Sequence, residues 1–311
     1  MTYDFAIVIP TYKRPDALAV CVDSILLQSL LPRQLIIVDD DELPQEVLAD
    51  MGQQAKKKKV ELVYIKKDHK KQGQGSAYSR NIGISASEYP YTFIFDDDME
   101  LESDFCEHVM RAWREDASDT TFAVAGVWSN NRVPGRFEYW YHYLNMLGRM
   151  DRWDINDVGF QTWNDGIKET MSGNYAHGSS SVYKTSILRE LGGFATFSGG
   201  RTALEDVEYF WRAKKAGYST LIVPKARLVH HHSPLARENH YQVGYKEGYN
   251  RTVIYRTHSS RNLLSFLWFV NAQSAWIFRK VLVGQFAYAY GLLWGSFSAR
   301  NAQAIKIEKF D

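Results

Sequence analysis

Cysteine is scarce: Cys21 and Cys106 are the two in 311 residues. Both fall in stretches with helical spacing, which argues against a disulfide framework and for buried thiols in a reducing compartment. Charge of one sign is also missing. The formal net charge is +1, so nothing in the total speaks for nucleic-acid binding. Met1-Thr-Tyr-Asp leads straight into an apolar run, without the basic region and apolar core of a signal peptide, so a cytoplasmic location is expected. The most telling absence is glycine at the first turn. Thr11-Tyr12-Lys13-Arg14-Pro15 follows the first apolar run where a dinucleotide fold shows G-x-G-x-x-G and a P-loop shows G-x-x-x-x-G-K-[ST]. A nucleotide bound here would be held by side chains and strand ends rather than by a glycine cradle.

What is present is an alternation of strands and helices. Phe5–Pro10, Leu35–Val38, Val60–Ile65 and Tyr91–Phe95 read as strands, without the polar alternation of a half-exposed sheet. Leu18, Val22, Ile25 and Leu26 recur at helical spacing, and Ser76–Ser87 and Asp104–Arg114 are predicted helices. This alternation predicts βαβ units and a mostly parallel sheet. After Gly126 the pattern loosens. Trp128–Asp165 is rich in Trp, Tyr, Arg and Asn, and is expected to be either an acceptor-side wall carrying Trp128 and Trp140 or an inserted hairpin packing its own aromatics. Order returns with a strand at Gly178–Tyr183, helices at Thr185–Leu191 and Val207–Ala216, and a strand at Leu221–Pro224.

Several clusters carry chemistry. Asp96, Asp97 and Asp98 end the fourth strand, where three adjacent carboxylates repel unless a cation sits among them. In open α/β sheets the ligand crevice lies outside the carboxyl ends of the strands. The triplet therefore reads as a divalent-metal site beneath a diphosphate, or else as a solvated acidic turn. Gly73-Gln-Gly75 opens a helix carrying Arg80, which suits a phosphate-bearing ligand or a simple capped helix. Glu205 and Asp206 stand at a helix start, where acids also complement the helix dipole. His230-His231-His232 offers imidazole ligands or surface polarity. Lys56–Lys59 with Lys66, Lys67, Lys70 and Lys71 is either a solvated loop or a contact for an anionic membrane. Beyond His240, Asn262–Phe278 and Val281–Ala299 lack charge and are separated by Arg279-Lys280. They are expected to be two helices lying at a membrane interface, packing on the domain or a second subunit, or, least favoured, spanning.

Taken together these residues resemble the family 2 glycosyltransferases of GT-A fold. The resemblance covers about residues 4 to 235 and rests on Ile9-Pro10-Thr11-Tyr12-Lys13-Arg14, Val38-Asp39-Asp40, Gly75 through Gly83, Phe95 through Asp98, Gly192-Gly193-Phe194, Glu205-Asp206 with Trp211-Arg212-Ala213, and His230. Asp41-Glu42 departs from the small polar pair common at that place. The resemblance implies a GT-A domain over 1–235, with a nucleotide-binding half (1–125) and an acceptor-binding half (126–235), followed by a helical extension over 236–311. It implies an inverting, metal-dependent transfer of a hexosyl or deoxyhexosyl group from a UDP-, dTDP- or GDP-sugar to a glycan or lipid-linked acceptor. Such a reaction would serve cell-surface polysaccharide synthesis, at the inner face of the membrane. Pro10, Thr11, Tyr12, Arg14, Asp40, Arg80, Asp96 and Asp97 would line the nucleotide pocket. Asp98, Asp96 and His230 would hold Mg²⁺ or Mn²⁺, and Asp206 would be the catalytic base. Glu205, Trp128, Trp140 and Trp211 would face the acceptor. The readings to be excluded are a nucleotidyltransferase and a non-catalytic sugar-nucleotide-binding protein.

Overall fold

The computed structural model describes the chain except residues 1–3, 69–71, 198–202, 234, 236–237, 261, 303–304, 306, 308 and 311. Lys70 and Lys71 of the basic stretch thus lie outside the described residues. The first four strands are β1 (Phe5–Thr11), β2 (Gln34–Asp39), β3 (Glu61–Lys66) and β4 (Tyr91–Phe95). They pair in parallel in the order β3-β2-β1-β4. β10 (Ser180–Lys184) runs antiparallel between β4 and β6 (Thr121–Trp128). β11 (Ser219–His230) lies parallel to β6 and antiparallel to both β5 (Met99–Leu101) and β9 (Met171–Gly173). A small hairpin, β7 (Asp154–Ile155) with β8 (Gln161–Thr162), stands apart. The mixed α/β class, with β1 to β4 in parallel, is as the sequence suggested.

Successive residues of a strand point to opposite faces, and the strands divide accordingly. Phe5, Ile7, Ile9, Leu35, Ile37, Phe93 and Phe95 enter one core, with α1 (Pro15–Leu26), α2 (Gln45–Lys57) and α4 (Phe105–Glu115). Ala6, Val8, Ile36, Val38 and Ile94 enter the other. That second core takes in α3 (Ser76–Ala86), α6 (Thr185–Glu190) and α7 (Glu205–Lys215). A Cβ on Gly83 would stand 2.2 Å from Val8 Cγ1, so α3 lies against β1 only because that position is glycine. Burial on both faces explains the unbroken apolar runs.

Three readings are corrected. Lys56 and Lys57 are not in a loop; they close α2, whose few apolar contacts, Met51 and Ala55, hid its period. Arg136–Leu144 is a helix, α5, where no period is evident because its outward face is aromatic too. The tail begins with an additional helix, α8 (His240–His258). Then α9 (Leu263–Leu282) runs straight through Arg279-Lys280 and turns at Gly284, φ +74°, into α10 (Phe286–Ser298). Among the described residues, no helix is long and apolar enough to cross a membrane.

α8 and α10 cross at backbone contact. A Cβ on Gly244 or Gly248 would stand 2.2 Å from Tyr288 O or Leu292 O, and one on Gly295 would stand 2.0 Å from Tyr245 O. α9 binds α5 along its length: Tyr141 Oη donates to Ala275 O, Asn271 to Asn145 O at 2.9 Å, and Trp268 Nε1 to Met146 O at 2.8 Å.

Between them His142 is buried, and among the described residues neither ring nitrogen has a hydrogen-bond partner. Burial, helped by the Arg279 charge, pulls its pKa from 6.5 down to about 4. The unfolded chain therefore takes up a proton near pH 6.5 that the native fold refuses until about pH 4. Native stability should fall as pH is lowered across that window, by on the order of 3 kcal/mol. His142→Phe should flatten this part of the slope in urea melts at a series of pH values; an unchanged slope would remove His142 as its source.

Candidate active site

The carboxyl ends of β1, β2 and β4 open into a cleft of about 350 Å³. Pro10, Thr11, Tyr12, Arg14, Asp40, Arg80, Asp96 and Asp97 all line it, as does Glu205. The first turn is tied to the acidic one. Thr11 Oγ1 donates to Asp97 Oδ2 at 2.8 Å and Arg14 Nη1 to Asp97 Oδ1 at 2.9 Å. Burial still pushes the Asp97 carboxyl up to about 6, against the pull of Arg14 and Thr11. Asp97 thus spends both oxygens bracing the cleft wall. Asp40 accepts from the Gly75 N–H at 2.8 Å and pairs with Lys67 Nζ at 2.9 Å. The Lys67 side chain is wholly buried, so this lysine leaves the basic stretch in which the sequence places it and fixes the loop before α3.

Arg80 enters the cleft from the second turn of α3. It is 5% exposed and forms two ion pairs, Nη2 with Asp96 Oδ1 at 2.8 Å and Nη1 with Glu205 Oε1 at 2.7 Å. Phe194 lies under its guanidinium at 5.4 Å. Glu205 is therefore a buried strut between α7 and α3, and burial raises its pKa despite the Arg80 charge. Removing one partner of a buried pair leaves the other charge uncompensated. Glu205→Ala should cost about 3–5 kcal/mol of unfolding free energy by denaturant titration; a loss within error of zero would show the strut to be dispensable.

His230 arrives from the far end of the sheet. β11 pairs with β5 so that His230 lies opposite Met99, immediately after the acidic turn, and the His231 N–H donates to Asp98 O at 2.9 Å. His230 Nε2 comes to 3.1 Å from Asp98 Oδ1. Burial pushes the Asp98 carboxyl up, but the His230 hydrogen bond and charge, the Ser233 N–H and Arg14 together bring it down to about 2. One ligand-type atom from each of Asp96, Asp98 and His230 lies within 4.8 Å of the others. Two carboxylates and an imidazole on one spot, with the buried His230 Nδ1 lacking a partner among the described residues, suit a divalent cation such as manganese.

Asp206 sits in the first turn of α7, half-buried. Its Oδ1 accepts from the Val207 N–H at 2.8 Å and its Oδ2 from Tyr175 Oη at 3.0 Å. Its charge acts on both Arg80 and Glu205, so it belongs to the same end of the sheet. Gly178 makes room for it, since a Cβ there would meet Asp206 Cβ at 2.7 Å.

The tryptophans separate. Trp128 stacks on His177 at 4.0 Å and stands edge-on to His230 at 4.5 Å, beside the cation spot. Trp140 is 62% exposed on the outer face of α5 and does not line the cleft. Trp211 is 2% exposed in the second core, with His258 against its ring, so it has no face to offer an acceptor. Its place at helical spacing behind Glu205-Asp206 marks the buried side of α7. Tyr175, His177 and Lys67 join the site from irregular or basic stretches where no sequence pattern distinguishes them.

Residues 6–191 match the model of glycosyl transferase family 2. The chain belongs to glycosyltransferase family 2. The matched stretch holds β1 through α6 and the acidic turn. Asp206 and His230 lie beyond it and reach the glycosyltransferase cleft through α7 and β11. No curated sequence matches the chain. Among solved structures it is similar to the mannosyltransferase PcManGT of Pyrobaculum calidifontis, crystallised with GDP-Man and Mn²⁺, at 16% identity and a TM-score of 0.55; the match covers 96% of this chain and 81% of that one. It is similar to S. aureus TarS 1-349 at 14% identity and TM-score 0.51, covering 95% and 91%. GalNAc-T7, crystallised with UDP, GalNAc and Mn²⁺, matches at 12% identity and TM-score 0.53, over 74% of this chain and 44% of that one. At these identities the likeness establishes the GT-A fold of this family 2 glycosyltransferase.

Proposed function

We propose that this glycosyltransferase moves a sugar from a nucleoside-diphosphate sugar to a hydroxyl of a glycan or lipid-linked acceptor, with inversion at the anomeric carbon. The observation that carries the reading is the convergence of Asp96, Asp98 and His230 at the floor of the cleft lined by the Thr11 turn, Asp40 and Arg80. PcManGT and GalNAc-T7, bound to GDP-Man or to UDP with Mn²⁺, share this fold. Pro10, Tyr12 and Asp40 take the base and ribose side; Arg14 and Arg80 put positive charge beside the diphosphate. A divalent cation, Mg²⁺ or Mn²⁺, held by Asp98, Asp96 and His230 would supply Lewis-acid neutralisation of the leaving diphosphate.

Asp206 takes the proton of the acceptor hydroxyl, and Tyr175 holds the carboxylate in orientation. Such general-base help typically contributes about 10²- to 10⁴-fold. One base facing one leaving group supports a single displacement and needs no carboxylate nucleophile. Trp128 stands at the junction of donor and acceptor. Behind it lies a second cavity of about 160 Å³, between residues 132–165 and the C-terminal helices. Trp163, Asn164, Asp165 and Trp276 line it, a mix of rings and hydrogen-bonding groups suited to a sugar. Hexosyl and deoxyhexosyl donors both fit this reading, as does a role in surface polysaccharide synthesis.

The test is incubation with a panel of UDP-, dTDP- and GDP-sugars and Mn²⁺. Release of nucleoside diphosphate from one of them supports transfer. Formation of nucleoside triphosphate and sugar 1-phosphate once pyrophosphate is added would instead make the protein a nucleotidyltransferase, and no turnover of any donor would leave a sugar-nucleotide-binding protein.

A further inference from the structure

Twenty of the twenty-three exposed large apolar side chains among the described residues fall in two segments, Val133–Met146 and Leu263–Phe297. They share faces. On α10, Phe286, Tyr290, Leu293, Trp294 and Phe297 follow one another at helical spacing, all about half exposed or more. α5 turns Phe137, Trp140 and Leu144 outward in the same way. α9 carries Leu263, Leu267, Val270, Phe278 and Val281 outward. It lies between the other two, bonded to α5 through Tyr141 and Asn271 and to α10 through Gln273 and Ser296. The three faces are therefore one continuous apolar surface. Soluble monomers rarely expose a patch beyond a few hundred Å² without a partner.

Charge selects the partner. α5, α9 and α10 hold one acidic residue, Glu138, which Arg132 and Arg279 already engage, while Arg136, Lys280 and, just past α10, Arg300 are basic. A two-fold dimer would lay this surface on itself, gathering the exposed Arg136 and Arg300 of both copies with no uncommitted acid on any of the three helices to answer them. An anionic lipid surface supplies that answer. Tryptophan and tyrosine among the aliphatics suit the headgroup boundary. Spanning is excluded for α9 by its other side, where Ser265, Phe269, Ala272, Gln273 and Ala275 are buried against protein.

We propose that α5, α9 and α10 form a monotopic docking face that lies in the plane of a bilayer containing anionic lipid. Its rim meets the cavity lined by Trp163 and Trp276, so a lipid-linked acceptor would be presented beside the acceptor side of the cleft. Docking is read without donor or acceptor, so it stands or falls independently of the transfer reaction.

Flotation of the full chain with vesicles of phosphatidylcholine, with and without phosphatidylglycerol, tests it. The wild type should float with the anionic vesicles and much less with the neutral ones. The double variant Leu264→Glu/Leu293→Glu alters two side chains that are 78% and 56% exposed, so the fold should persist by circular dichroism. Its vesicle partition should fall at least about tenfold. Three outcomes would overturn the proposal: no flotation of the wild type, flotation untouched by the double variant, or loss of flotation only in Lys58→Gln/Lys59→Gln. A dimer in gel filtration that L264E/L293E dissociates, without vesicle binding, would assign the face to a second copy.

Discussion

Asp206→Asn is expected to lower turnover by at least about a hundredfold while donor affinity stays within about twofold of wild type. The substitution is chosen for what it retains. Asparagine keeps an oxygen able to accept from the Val207 N–H, so the first turn of α7 and its neighbour Glu205 keep their places. The amide nitrogen takes the other place, where it donates to Tyr175 Oη instead of accepting from it. What disappears is the carboxylate that accepts a proton. A drop in kcat with an unchanged donor dissociation constant, at wild-type melting temperature, therefore identifies proton transfer. Wild-type turnover would make Asp206 a helix-terminus acid that complements the dipole and nothing more.

Asp98→Ala is expected to abolish metal-dependent binding of nucleoside diphosphate, with heats of titration in Mn²⁺ falling to those seen in EDTA. Asp98 is the carboxylate on which the corner converges: His230 on one oxygen, Ser233 N–H and Arg14 on the other. These contacts keep it ionised down to about pH 2. A cation bound there would replace part of what His230 and Arg14 supply, so the loss should exceed that of any single nucleotide contact. Asp98→Asn, which retains the bond from Ser233, separates charge from shape. Unchanged Mn²⁺-dependent affinity in both variants would return the acidic triplet to a structural turn braced by two arginines.

The parallel half of the sheet was legible because strands buried on both faces leave no polar alternation, as Phe5–Thr11 and Gln34–Asp39 show. The acidic turn was legible for a related reason: three carboxylates at the end of such a strand need something to hold them. The roles within the triplet were not. Only the structure shows Asp97 committed to Thr11 and Arg14 while Asp96 and Asp98 share a corner with His230. The family resemblance puts Glu205 and Trp211 on the acceptor side with Asp206, but a helix sends neighbouring positions different ways. Glu205 turns to Arg80, and Trp211, well over a turn later, enters the core. Tyr175 and His177 gave no signal because long-range packing, not local spacing, brings them to the site. The hairpin of the tail was misplaced by reading charge as a boundary. Arg279 pairs with Glu138 and Lys280 lies over Tyr288, so both are accommodated inside a helix, and the glycine that follows sets the turn.

The most direct measurement is anomalous diffraction at the manganese edge from crystals soaked with Mn²⁺ and either UDP or GDP. A single strong peak among Asp96, Asp98 and His230, with diphosphate density between it and Arg80, is the result required here. Nucleotide density in the cleft with no peak at that corner, or a peak held by other side chains, would contradict it.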